Sequence, residues 1–154
     1  MSTSNEAHNN PKGRATDASA SLERTFKKGI SSLEGIFEFI EEFSASNEVV
    51  SETRYALELA IEELFTNMVK YSPESDSDVL ISLTLSGKTL QVCLTDYGVK
   101  PFDPTKAKEV DINLPLDQRK PGGLGIFLTK KLMETIQYEH TNGNNIITLI
   151  KHLE

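Results

Sequence analysis

The stretch Tyr55–Ser72, YALELAIEELFTNMVKYS, constrains this chain more than any other. It contains no Gly, meets no Pro before Pro73, and carries apolar residues at helical spacing. Leu57, Ile61, Leu64 and Met68 fall on one face with Phe65 beside them, so the spacing predicts a helix with one buried stripe, ended by Pro73. Glu63 and Asn67 are four apart and stack on one flank of that stripe, whereas Glu62 points to the other flank, toward solvent. A carboxylate and a carboxamide at the edge of a core are either plain surface polar residues or a pair able to serve a ligand and a metal. The helix alone leaves both readings open.

A second amphipathic helix precedes it. From Ser32 to about Ala45, Leu33, Ile36, Phe37, Ile40 and Phe43 recur at helical spacing, with Glu34, Glu38, Glu41 and Glu42 largely outside. Earlier still, Ser21–Ile30 alternates loosely through Leu22, Phe26 and Ile30 and reads as an edge strand. After the central helix the period becomes that of a strand. Asp78–Ser86 alternates Val79, Ile81, Leu83 and Leu85, and Thr89–Thr95 alternates Leu90, Val92 and Leu94. Gly87-Lys88 between them is a two-residue turn, which predicts a β-hairpin. Residues 105–121 are charged and aperiodic, with Pro115 and Pro121, long for a loop in a compact domain and therefore expected to be a mobile functional segment. Gly122-Gly123-Leu124-Gly125 opens a third helix over Ile126–Glu134, with Ile126, Leu128, Leu132 and Met133 apolar. Ile136–His140 and Asn145–Lys151 predict a last hairpin. The expected fold is α+β: a two-layer sandwich in which a mostly antiparallel, mixed sheet is covered on one face by helices.

Composition narrows what such a domain can do. The net charge of −7 argues against a direct nucleic-acid surface, which needs clustered Lys and Arg, and leaves room for a basic protein partner. The single Cys93 excludes an internal disulfide and suits a reducing cytoplasm. No apolar run is long enough to span a membrane, and the N-terminus lacks an apolar signal core, so a cytoplasmic protein with no membrane contact is expected. Residues 1–19 are polar and small and read as a disordered tail; residues 20–154 read as one domain.

Three segments are candidates for chemistry. Asp96 lies at a strand end, where a carboxylate can accept a hydrogen bond from an amine, and Gly98 allows a flat ring to approach the backbone; by itself Asp-X-Gly is also a common turn. Gly122-Gly123-X-Gly125 ahead of a helix offers backbone N–H groups and a helix dipole to an anion, or is simply a flexible helix start. It is not a P-loop, because no Gly-Lys-Ser/Thr follows. Thr148 in the last strand is by itself an ordinary β-former.

The order of these parts is specific. Glu63-Leu-Phe-Thr-Asn67, Leu94-Thr-Asp96-Tyr-Gly98, Pro101-Phe-Asp-Pro104, Gly122-Gly-Leu-Gly-Ile-Phe-Leu128 and Asn145-Ile-Ile-Thr-Leu-Ile-Lys151 follow one another over nearly the whole chain. This arrangement resembles the GHKL (Bergerat-fold) ATPases, and within them the anti-sigma-factor serine/threonine kinase branch. The resemblance implies that Asn67 holds Mg²⁺ bridging the triphosphate of ATP, and that Glu63 is the general base for a substrate hydroxyl. It implies that Asp96 accepts from the adenine amine, with Gly98 beneath the ring and Thr148 nearby. Residues from about 105 to 125 would form the ATP lid, with Gly122, Gly123, Leu124 and Gly125 at the phosphates. Where many relatives have a second glycine, this chain has Lys100, which either contacts phosphate or stiffens the loop. The implied partners are a STAS-type anti-anti-sigma protein, as phosphoryl acceptor, and a sigma factor, with a homodimer expected in this branch.

Two other readings stay open. Lys70-Tyr71-Ser72-Pro73 resembles sensor histidine kinases, which makes a histidine-kinase-like ATPase domain with a separate phosphoacceptor protein one alternative. Against it, His8, His140 and His152 are the only histidines, and none sits on a predicted helix beside an acidic residue. The other is a nucleotide-binding anti-sigma module that sequesters its partner without catalysis. The intact Glu63 favours the enzyme.

Overall fold

The computed structural model describes residues 19–72, 78–106 and 124–154. In chain order these form β1 (Ala20–Phe26), a single 3₁₀ turn (Ile30–Ser32), α1 (Leu33–Ser46), α2 (Ser51–Tyr71), β2 (Val79–Ser86), β3 (Thr89–Asp96), α3 (Leu124–Leu132), β4 (Thr135–Thr141) and β5 (Asn144–His152). The strands make one sheet in the order β1-β2-β3-β5-β4. Each described pairing is antiparallel. The parallel component of the expected mixed sheet is therefore missing among the described strands. β2–β3 and β4–β5 are tight hairpins, which only antiparallel strands can form, and the longer connections bring β2 beside β1 and β5 beside β3 antiparallel as well.

Alternation sets one face of the sheet inward. Val79, Ile81 and Leu83 of β2, Leu90, Val92 and Leu94 of β3, and Ile147 and Leu149 of β5 are buried. They meet Ile36, Phe39, Ile40 and Phe43 of α1, and Leu57, Ala60, Ile61, Leu64, Phe65 and Met68 of α2, in one core. The helices thus lie on one face, as the period change predicts. Phe39 belongs to this core although the helical spacing picks out Phe37 instead. It packs edge-on to Phe26, ring centroids 5.6 Å apart, which draws it inward while Phe37 is only partly buried.

Some element bounds move. The central helix starts at Ser51, a turn before Tyr55, and Tyr55 itself is exposed. Helix α3 ends at Leu132 and turns Ile126 and Thr129 inward, with Met133 buried just beyond its end. Leu128 and Leu132, taken with the apolar set, lie on its exposed side. Thr129 tolerates burial because its hydroxyl donates to the Gly125 carbonyl one turn back, at 2.7 Å. Residues 1–18 of the tail expected over 1–19, the stop at Pro73, and residues 107–123 of the lid expected from about 105 to 125 fall outside the described residues. No described helix is long and apolar enough to cross a membrane.

Candidate active site

The site is built where the C-terminal end of β3, the N-terminal end of β5, the second half of α2 and the start of α3 come together. The inward parity of Leu90, Val92 and Leu94 carries Asp96 to the same face, fully buried at the sheet's end. Its Oδ2 accepts from the Lys28 ammonium at 2.8 Å, and that side chain is also buried, 4% exposed. Lys28 lies outside the sequence motifs. A signal for it exists: Leu22, Arg24 and Phe26 set the inward parity of β1, and Lys28 continues it one step past the strand, whereas Lys27 is exposed.

The chain leaves β3 through Tyr97-Gly98. Gly98 has φ +65°, a left-handed conformation that suits glycine, and its N–H donates to Asn144 Oδ1 at 3.0 Å. The next residues are stapled to the β4–β5 hairpin. Val99 N–H donates to the Gly143 carbonyl at 2.9 Å, and the Val99 carbonyl lies 2.9 Å from His140 Nε2. Asn145 does most of the holding. It is buried, donates through Nδ2 to the Lys100 carbonyl at 3.0 Å, and accepts at Oδ1 from the Phe102 N–H at 3.3 Å and the Tyr138 hydroxyl at 2.7 Å. Burial pushes the Tyr138 phenol above its ordinary 10.0, so it remains a donor. Lys100 itself is exposed; its carbonyl, held by Asn145, is what binds it to the scaffold.

The same loop then crosses to α2. Asn67, buried, donates through Nδ2 to the Pro104 carbonyl at 3.0 Å, and the Tyr71 and Phe102 rings meet at 6.1 Å. Spending the amide nitrogen on Pro104 assigns the other end of the carboxamide as an acceptor oxygen, the donor type a hard cation takes. Asp103 caps the turn, accepting from Thr105 N–H and hydroxyl at 2.9 and 2.5 Å.

Glu63 is half-buried on the same flank of α2, one turn before Asn67, and Glu62 is exposed on the other flank. Glu63 lies against Gly125 at the start of α3. A Cβ built on Gly125 would come within 2.4 Å of Glu63 Oε2 and 2.8 Å of its Cγ, so the carboxylate occupies the space that any side chain at 125 would need. Desolvation raises the Glu63 pKa above its ordinary 4.5; Lys70 opposes the rise and Glu62 adds to it. Gly122 and Gly123 lie outside the described residues, and of Leu124 only the backbone is described, as the first residue of α3.

Among the described residues, Thr148 is the predicted one that the structure turns away. It pairs with Cys93, while Asp96 pairs with Asn145. Successive strand residues alternate faces, so Thr148 lies on the sheet face opposite Asp96 and cannot line a pocket with it. Asn145, directly opposite Asp96, holds that place. The alternation of Asn145, Ile147 and Leu149 was legible in sequence and points to it.

A model of the family described as the histidine kinase-like ATPase domain matches residues 27–151. The chain is similar to the serine/threonine-protein kinase BtrW of Bordetella bronchiseptica, 32% identical over 101 residues, covering 64% of this chain and 70% of BtrW. It is similar to the serine-protein kinase RsbW of Bacillus mycoides, 32% identical over 95 residues, covering 59% of each. A crystal structure of the RsbU and RsbW domains of a Mycobacterium tuberculosis protein shares the fold, with a TM-score of 0.63 at 16% identity over 87% of this chain. This chain spans only 32% of that longer one, and less than two thirds of the Bacillus RsbW.

Proposed function

The chain belongs to the histidine kinase-like ATPase domain family, and from that premise we propose that it is an anti-sigma serine/threonine kinase that binds Mg·ATP and phosphorylates a STAS-type anti-anti-sigma protein. The names of the relatives support the reaction class. The observation that carries it is Glu63, a carboxylate with a raised pKa held against the start of α3. A module that only sequesters its partner has no use for a half-buried base at the phosphate end of the site.

The roles come from the family resemblance, and the geometry supports them. Asp96 accepts from the adenine amine, with Gly98 below the ring and the loop held by Asn145. Asn67, whose amide nitrogen is spent on Pro104, would offer its carboxamide oxygen to Mg²⁺, and the ion would supply charge neutralisation at the triphosphate. The N-terminal end of α3, which begins at Leu124, would offer its first-turn backbone N–H groups and positive dipole end to the phosphates; by resemblance, Gly122 and Gly123 would extend that cradle. Glu63 takes the proton of the acceptor serine or threonine hydroxyl as that oxygen bonds to the γ-phosphorus. The bond from that phosphorus to the β,γ-bridging oxygen breaks, and ADP leaves with the electron pair.

Incubating the protein with Mg·ATP and its cognate antagonist should add about 80 Da, one phosphoryl group, to the antagonist. Glu63→Gln should keep nucleotide affinity and slow transfer by about 10²–10⁴-fold, while Glu62→Gln should change little. Normal transfer by Glu63→Gln would remove the base. ATP binding without transfer to any antagonist that the protein captures would favour plain sequestration.

A further inference from the structure

Lys28 belongs to none of the assigned roles, yet its side chain is buried and ion-paired. Its turn is pinned by Gly29 N–H to the Lys27 carbonyl at 2.8 Å, Ser32 N–H to the Gly29 carbonyl at 3.0 Å and Ser32 hydroxyl to the Lys27 carbonyl at 2.6 Å. The sheet register places it. Phe26 pairs with Val79, and Val79 with Asp96, so a side chain two residues past Phe26 reaches over β2 to the end of β3. Both partners are buried, 4% and 0% exposed, and meet at 2.8 Å.

A buried ion pair is a poor way to gain stability, because taking both charges out of water costs as much as their attraction returns. Its use here is in recognition. An unbalanced carboxylate in a dry pocket draws any cation in preference to a neutral N–H donor. With an ammonium on Oδ2 the charge is balanced locally, and the carboxylate's direction is fixed by a strong charge-assisted bond. We infer that Lys28 is a positioning residue of the base pocket: by holding Asp96 Oδ2 it turns Asp96 into a fixed acceptor that selects a neutral base bearing an exocyclic amine. This deepens the kinase reading and rests on it.

The test compares ATP with purine riboside triphosphate, which lacks only the amine, by calorimetry at fixed Mg²⁺ on the full chain. Wild type should prefer ATP by about tenfold or more, the worth of one hydrogen bond to a charged acceptor. Lys28→Met should lose most of that preference with the triphosphate contribution intact, and Lys28→Arg, which keeps the charge and the donor, should retain it. Should Lys28→Met not fold, Lys28→Gln, which keeps a neutral donor, takes its place and should lower the preference. On the unmutated protein, the Lys28 side-chain ¹⁵N resonance should shift with ATP and stay put with inorganic tripolyphosphate. An unchanged preference in a folded Lys28 variant, or a Lys28 resonance indifferent to ATP, overturns the inference while leaving the kinase reading intact. No ATP binding by wild type overturns the kinase reading instead.

Discussion

Two residues that touch, Glu63 and Gly125, make the most specific statement at the smallest scale. Glu63 has its pKa raised, so its carboxyl holds a proton in the folded state at pH values where the unfolded chain has released it. The stability tied to that proton is complete below 4.5 and is lost as pH rises through the folded value. Glu63→Gln should therefore leave thermal stability at pH 7 unchanged or raised, an advantage that disappears below pH 4.5. For catalysis the sign is opposite, because a base must be ionised. The transfer rate should rise with pH along a limb placed above 4.5. Gly125→Ala adds a carbon 2.4 Å from Glu63 Oε2 and should push the carboxylate toward water. Ala is the better helix former by about 1 kcal/mol, so the fold should survive. The rate should fall and its acid limb move down toward 4.5, read from the pH–rate profile. A Gly125→Ala enzyme with the wild-type profile would mean that the contact has no part in setting the base.

At the level of elements, the segment from Gly98 to Thr105 matters more than its lack of regular structure suggests. It is tied at one side to the β4–β5 hairpin through Asn145 and at the other to α2 through Asn67. Asn145→Ala removes the partner of the Lys100 carbonyl, the Phe102 N–H and the Tyr138 hydroxyl together. It should cost about 1–3 kcal/mol in urea unfolding, the penalty for buried polar groups left without partners. Exchange of the Phe102 amide should quicken and ATP affinity should fall; the Val99 amide, bonded to Gly143, is the internal control. Unchanged exchange at Phe102 would show that the loop is held by other means. Periodicity made the helices, the hairpins and the layer arrangement legible, since each buries one face of a simple repeat. The Glu63–Asn67 flank was legible for the same reason. What alternation alone left hidden were contacts between segments far apart in sequence. Lys28 reaching Asp96 and Pro104 meeting Asn67 depend on register across strands and on a carbonyl that has no residue signature. Thr148 carries the motif's residue type but the wrong strand parity; Asn145, three residues earlier, has the opposite parity and pairs with Asp96.

At the scale of the whole molecule, the charge of −7 enters. A phosphorylated antagonist gains about −1.5 to −2 charges at the surface that meets the site. Repulsion from an acidic kinase should then release it without unfolding either protein. Affinity for the phosphorylated form, or for one with Asp at the acceptor, should be about tenfold or more weaker at low salt, with the gap narrowing as salt screens it. Equal affinities at physiological salt would make the protein a constitutive kinase or a plain sequestering factor. The hydrogen bond from Asn67 to Pro104 has a further consequence, for which amino acids this position tolerates. Aspartate is isosteric with asparagine and, as a full anion, is the more usual companion of a divalent cation. Here it would set two oxygens against each other at a backbone carbonyl that cannot turn away, because Pro104 is itself buried. Deamidation of this one side chain, a change of a single amide to an acid, would thus act as a chemical lesion where α2 meets the loop, whatever it added to the attraction for the proposed Mg²⁺.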